Sequence, residues 1–152
     1  MTDTNMKHMS KILLLSTLIF LSLCTIALSS TDHKMYQGLS EESTMIYKFI
    51  NGVGKNLAIK YCMKQYGNGL AGMDKIWQLA LEFERCGDPL TEEEARELIV
   101  NCVNDFLTAV NNNQQLKPLL RDYPFTANNI DLTIFNYDKN RSLYQYPSIA
   151  NV

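Results

Sequence analysis

Trp77-Gln78-Leu79-Ala80-Leu81-Glu82-Phe83-Glu84 is the stretch that decides the fold. Trp77, Leu79, Leu81 and Phe83 fall on alternate positions, with Gln78, Ala80, Glu82 and Glu84 between them. Successive strand side chains point to opposite faces, so this alternation predicts a half-buried strand with one wet face. Cys86-Gly87-Asp88-Pro89 then reads as a turn. Immediately after it, Thr91-Glu92-Glu93-Glu94 spells a capping box, in which the Thr hydroxyl and the Glu94 carboxylate satisfy free N–H groups at a helix start. Ala95, Leu98, Ile99, Cys102, Val103, Phe106, Leu107 and Val110 make one apolar stripe behind it, and Asn111-Asn112-Asn113 stops the helix.

On the amino-terminal side of the strand, apolar residues from Leu39 to Tyr66 recur at three- and four-residue intervals, among them Ile46, Phe49, Ile50, Val53, Leu57, Tyr61 and Cys62. That spacing predicts a second amphipathic helix. Ser40 is its expected N-cap, and Glu41 and Glu42 suit the positive end of its dipole. Gly67-Asn68-Gly69-Leu70-Ala71-Gly72 is expected to end it as a mobile loop. Its glycines spell G-x-G-x-x-G, but a dinucleotide site needs that string after a strand and before a helix. Here it follows a helix and precedes a strand, so the nucleotide reading fails.

On the carboxy-terminal side, Tyr123-Pro124-Phe125 is extended, because the residue before proline avoids helical angles. Ile130, Leu132 and Ile134 alternate with Asp131, Thr133 and Phe135 to give another strand. Asp138-Lys139-Asn140-Arg141 is a turn, and Leu143, Tyr144 and Tyr146 are expected to return as a third strand. The sequence therefore predicts an α+β fold in the order α-β-α-β-β. Two amphipathic helices pack on one face of a small, mainly antiparallel sheet of about three strands.

The first residues read differently. Lys7 and Lys11 precede an uncharged apolar run from Ile12 to Leu28, followed by Ser29, Ser30 and Thr31. This is the pattern of a secretory signal peptide over residues 1–29, with cleavage before Ser30. Residues 30–38 are a polar lead-in, and residues 39–152 form one domain. The run sits at the lower limit for spanning a ~30 Å hydrocarbon core, so an uncleaved anchor over residues 12–28 is the alternative. Lipidation at Cys24 is a further one, poorly served by Leu23 before it. All three readings export the domain, to the periplasm or beyond.

The 152-residue chain is 46% hydrophobic and 20% charged, with a formal net charge of −2. These values exclude a collagen-like or fully disordered chain, and the absence of a basic excess argues against nucleic-acid binding.

Leu90-Thr91-Glu92-Glu93-Glu94-Ala95-Arg96-Glu97-Leu98, Leu116-Lys117-Pro118-Leu119-Leu120, Tyr123-Pro124-Phe125-Thr126 and Phe135-Asn136-Tyr137-Asp138 resemble strings in small secreted, uncharacterised proteins of chlamydia-like and other host-associated bacteria. The likeness covers residues 70–140. It implies export and a shared α+β fold, and no catalytic activity.

After removal of the leader the cysteines are Cys62, Cys86 and Cys102. Export favours disulfides. A Cys62–Cys102 bridge between the helices and two simply buried thiols fit the apolar positions equally well. Cys86, in a turn, is the expected free thiol. No C-x-x-C is present, and His33 is the one histidine left, in the lead-in, so neither a zinc site nor an imidazole-based catalytic site is expected. No cofactor is called for. Asn140-Arg141-Ser142 matters as a glycosylation acceptor only in a eukaryotic secretory route.

Phe135 and Tyr137 lie out of phase with Ile130, Leu132 and Ile134, and so face the other side of the sheet. With Tyr144 and Tyr146 they form the expected contact surface of a non-catalytic binding module whose partner is an envelope or host protein. Two other classes compete. One is a small carboxylate- or thiol-dependent enzyme using Glu82, Glu84 or Cys86, which requires those groups to converge. The other is a redox-linked dimer through Cys86.

Overall fold

A computed structural model describes residues 36–145 and 148–152. The expected signal peptide, Cys24, His33 and Tyr146 lie outside the described residues. The chain divides into two units, Met1–Thr44 and Met45–Val152. The described part of the first is a turn, closed by Leu39 N–H donating to Tyr36 O at 3.2 Å, and the start of helix α1 (Glu41–Lys60). Ser40 caps that helix, with Ser43 N donating to its Oγ at 3.1 Å.

The second unit holds the rest of α1, then β1 (Lys64–Ala71), β2 (Gln78–Cys86), α2 (Glu92–Asn112) and β3 (Ile130–Tyr137). The fold class is α+β, as the patterning implies. Phe83, Leu79 and Leu81 of β2 and Ile134 of β3 are fully buried against Ile50 of α1 and Phe106, Cys102 and Val110 of α2. Both helices therefore cover one face of the sheet. Each such apolar side chain contributes about 1.5–3 kcal/mol by leaving water, so this cluster holds the layers together. Truncating Phe83 or Phe106 to Ala would cost about 3–5 kcal/mol.

The sheet order is β1-β2-β3. β1 runs antiparallel to β2, and β3 runs parallel to β2. A parallel neighbour requires a long crossover, which α2 and the segment after it supply. The capping box forms as the sequence requires: Glu94 N donates to Thr91 Oγ1 at 3.2 Å, and Thr91 N donates to Glu94 Oε2 at 2.8 Å. After α2, Asn111 holds the returning chain with both ends of its amide. Its Nδ2 donates to Phe125 O at 3.0 Å, and its Oδ1 accepts from Phe125 N at 2.8 Å.

Three details depart from the pattern reading. First, α1 stops at Lys60 rather than near Tyr66. Cys62 adopts a left-handed φ of 53°, Met63 N donates to Ala58 O at 2.8 Å, and Cys62 N reaches Ile59 O at 3.4 Å. That is a Schellman ending with cysteine where glycine is usual.

Second, the glycine-rich stretch is an edge strand, not a loop. Gly67 and Gly69 pair with Glu82 and Ala80 of β2, with a bulge between Gln65 and Gly67. Gly72 does make the turn. Its φ is +148°, and a Cβ there would stand 2.2 Å from Lys75 O.

Third, the expected last strand is reduced to single bridges. Asp138 Oδ1 accepts from Asn140 N and Ser142 N to build the turn, and Tyr137 then bridges Leu143. The chain leaves β3 and rejoins it at its end. Ile134 and Val152 exchange both backbone hydrogen bonds, and Asn136 N donates to Ala150 O at 2.8 Å.

Candidate functional site

The strand registers define the sheet face that the helices leave uncovered. Lys64, Gly67, Gly69 and Ala71 of β1 lie opposite Glu84, Glu82, Ala80 and Gln78 of β2. On the other side of β2, Glu84 is level with Phe135, Glu82 with Thr133, Ala80 with Asp131 and Cys86 with Tyr137. Small residues therefore floor this face on β1 and in the middle of β2, and larger ones rise at one end.

That end carries an aromatic pair. Tyr66 sits at the bulge of β1, and its ring meets that of Phe135 edge to face, with centroids 6.4 Å apart and planes at 78°. Neighbouring strands lie about 4.8 Å apart, so the two rings reach toward each other across β2. Tyr66 keeps 65% of its surface exposed. The sequence places Tyr66 at the tail of α1. Its position on this face depends on the early helix stop and on the bulge.

Glu84 lies beside this pair with a side chain only 11% exposed. It accepts from Arg141 Nη2 at 3.1 Å and lies 3.7 Å from Lys64 Nζ. One carboxylate thus ties the edge strand to the turn after β3. Glu82 carries no hydrogen bond or ion pair to a described residue, and its Oε2 would be 2.6 Å from a Cβ at position 67. Glycine at 67 is what lets this carboxylate lie across the floor.

Glu82, Glu84 and Cys86 share this face, but alternate strand residues are spaced about 7 Å apart along one strand. They stand in file rather than around a common point, and Glu84 is committed to two cations. Among the described residues, no group of three His, Cys, Asp or Glu side chains is placed to hold a metal ion.

The expected contact residues separate. Phe135 and Tyr137 are half-buried on the open face, as their phase requires. Tyr144 instead donates its hydroxyl to Gly87 O at 2.7 Å and braces the segment after β3 against the β2 turn.

Among the described residues no cysteines pair: Cys62, Cys86 and Cys102 are free thiols. The Cys62–Cys102 bridge weighed from the sequence is absent: Cys62 lies beyond the helix, exposed at its left-handed cap, while Cys102 is buried in the core. Burial pushes the Cys102 thiol up to about 12, and the Asp105 charge adds to the shift. It packs as a small apolar group at neutral pH.

A polar cluster near Cys102 joins the two helices. Asp105 accepts from Lys60 Nζ at 2.5 Å and from the Tyr61 hydroxyl at 2.8 Å. These two hydrogen bonds hold the Asp105 carboxyl below its ordinary range.

Among the described residues, no helix is long and apolar enough to cross a membrane. No family model matches the chain, and neither the curated proteins nor the solved structures contain a match.

Proposed function

We propose that the protein is an exported, non-catalytic binding module that contacts an envelope or host protein through the open face of its sheet. The observation that carries this reading is the half-exposed Tyr66–Phe135 pair, standing on a face that neither helix covers. Aromatic residues supply large contact area at low entropic cost and are enriched where binding energy concentrates. The commitment of Glu84 to Lys64 and Arg141 counts against a carboxylate-dependent enzyme on the same face. Export rests on the basic, apolar and small-residue succession in residues 1–31 and on the likeness to small secreted proteins of host-associated bacteria.

The test is retention of envelope or host-surface proteins on the immobilised protein. Specific retention is expected with the natural sequence, and a loss of about tenfold with Phe135→Ala and Tyr137→Ala together. Unchanged retention by that double variant contradicts the assignment of the surface.

Exposed Cys86 at the end of β2 supports a second reading, a thiol-linked dimer. It requires a reducible band of doubled mass on a gel, and identical monomer bands with and without reductant dismiss it.

A further inference from the structure

We infer that the turn between β1 and β2, with the segment after α2, forms a second contact surface that rests in the headgroup layer of an anionic lipid bilayer. Its residues are Met73, Trp77 and Tyr123, with Lys75, Lys117 and Arg121. None of them is among the residues assigned to the open sheet face, so the inference goes beyond the reading above.

Backbone hydrogen bonds bring the two stretches together. Ile76, between Lys75 and Trp77, donates its N–H to Leu119 O at 2.9 Å, and its carbonyl accepts from Arg121 N at 2.8 Å. Lys75 Nζ also donates to Pro118 O. The Tyr123 hydroxyl donates to Asn111 O at 3.0 Å, which ties its ring to the end of α2. Trp77 and Tyr123 nonetheless remain 40% and 43% exposed, and the Met73 side chain stands wholly clear of the protein. Each ring carries a cation. Arg121 Cζ lies 5.8 Å from the centre of the Trp77 ring, and Lys117 Nζ lies 4.4 Å from that of Tyr123.

This combination suits the boundary between hydrocarbon and water. Trp and Tyr rings favour that layer, because each has an apolar body and a polar tip. Lys and Arg lay their stems along apolar surface and keep their charged heads at the level of the phosphates. A cation stacked on a ring holds both groups at one depth. Met73, fully wetted in the free chain, gains by entering the hydrocarbon beyond them.

The charge is complementary as well. Lys75 and Lys117 have no carboxylate partner among the described residues, and Arg121 is paired with its neighbour Asp122 at 3.2 Å. Three cations therefore stand with two carboxylates, Asp74 and Asp122, so this surface is net positive on a chain whose formal net charge is −2. Anionic headgroups attract this end and repel the remainder, which orients the molecule on the bilayer.

Trp77 is the one tryptophan in the chain, so its fluorescence reports on this surface alone. The exported chain is titrated with vesicles of phosphatidylcholine, and with vesicles of equal parts phosphatidylcholine and phosphatidylglycerol. The expected result is a blue shift of Trp77, and its quenching by brominated lipid, with the anionic vesicles only. Both should weaken as salt rises. Lys75→Gln and Lys117→Gln should each lower the partition coefficient about fivefold, the effect of one cation near an anionic surface. Met73→Ser should lower it about tenfold through lost insertion. Ile59→Ser, at an exposed apolar position near the end of α1, should change nothing.

No shift with either vesicle overturns the inference, and so does an equal shift with both. Vesicle binding that leaves Trp77 unshifted also overturns it, because another part of the chain, such as the apolar run 12–28, then makes the contact. Retention of envelope or host proteins that Met73→Ser abolishes, with vesicles inert, overturns it by assigning the surface to a protein. The open-face reading is tested apart from all of these, by the dependence of retention on Phe135 and Tyr137.

Discussion

Tyr66 and Phe135 touch although β2 runs between the strands that carry them. Their contact links the two flanking strands of the sheet over its central one. Aromatic pairs of this geometry are worth about 0.5–1.5 kcal/mol beyond burial. A double-mutant cycle with Tyr66→Ala and Phe135→Ala, read by urea unfolding, should return a coupling energy in that range. A coupling indistinguishable from zero would mean that the rings do not meet in solution.

Asn136 is completely buried, and neither its side-chain nitrogen nor its oxygen has a hydrogen-bond partner among the described residues. Its backbone is fully engaged, donating to Ala150 O and accepting from Tyr144 N. A buried amide left unpaired costs about 1–3 kcal/mol. Asn136→Leu, of nearly the same shape, should therefore raise the unfolding midpoint in urea with its slope unchanged. A lower midpoint would contradict the unpaired state.

Cys62 holds a left-handed conformation that glycine adopts without penalty. Cys62→Gly should stabilise the fold by about 0.5–1 kcal/mol, the relief of the cap outweighing the extra freedom of the unfolded chain. Thermal unfolding under reducing conditions measures this. A destabilised Gly variant would argue against the Schellman ending.

The Lys60–Tyr61–Asp105 cluster makes stability depend on pH at both extremes. Its hydrogen bonds from Lys60 and Tyr61 lower the Asp105 pKa, so its contribution is present above the ordinary Asp pKa of about 3.9 and is lost as pH falls through the lowered value. The Lys60 pKa is raised, first by its hydrogen bond to Asp105. That of Tyr61 is raised, first by burial and then by its own bond to Asp105. Their contributions are complete below about pH 10 and are lost as pH rises through the raised values. Asp105→Asn should lower stability at pH 7 and flatten both the acid and the alkaline limbs of the stability profile. Limbs unchanged by the substitution would contradict the role given to this cluster.

Asn111 closes two hydrogen bonds on the backbone of Phe125, itself a core residue. Asn111→Ala leaves both backbone groups without that partner and should cost about 2 kcal/mol in urea unfolding. A cost below about 0.5 kcal/mol would show that the segment is held by Phe125 burial alone.

Features that depend on local chemistry were legible in the sequence. The alternation from Leu79 to Phe83, the stripe of α2 and the Thr91–Glu94 box each report a local requirement, and each forms. β1 was not legible, because a glycine-rich edge strand has no apolar alternation of its own. It exists because β2 offers a partner and because Asn51 of α1 accepts from Gln65 and Asn68 on its inner face. The end of α1 was hidden for a related reason, since cysteine replaces the glycine that usually marks the cap. Phe135 and Tyr137 could be assigned to the outer face from phase alone. Tyr66 could not join them on paper, since its place depends on the bulge and on the pairing of β1 with β2.

The claim on which the account turns is that the open face of the sheet, and not the helical face, meets the partner. Site-specific crosslinking in cells that produce the protein tests it most directly, with a photoreactive residue at Thr133 in one variant and at Glu97 in the other. The account predicts a discrete adduct from position 133 that disappears when Phe135→Ala and Tyr137→Ala are added, and none from position 97. An adduct from position 97 alone, or one from position 133 indifferent to those two substitutions, would contradict it.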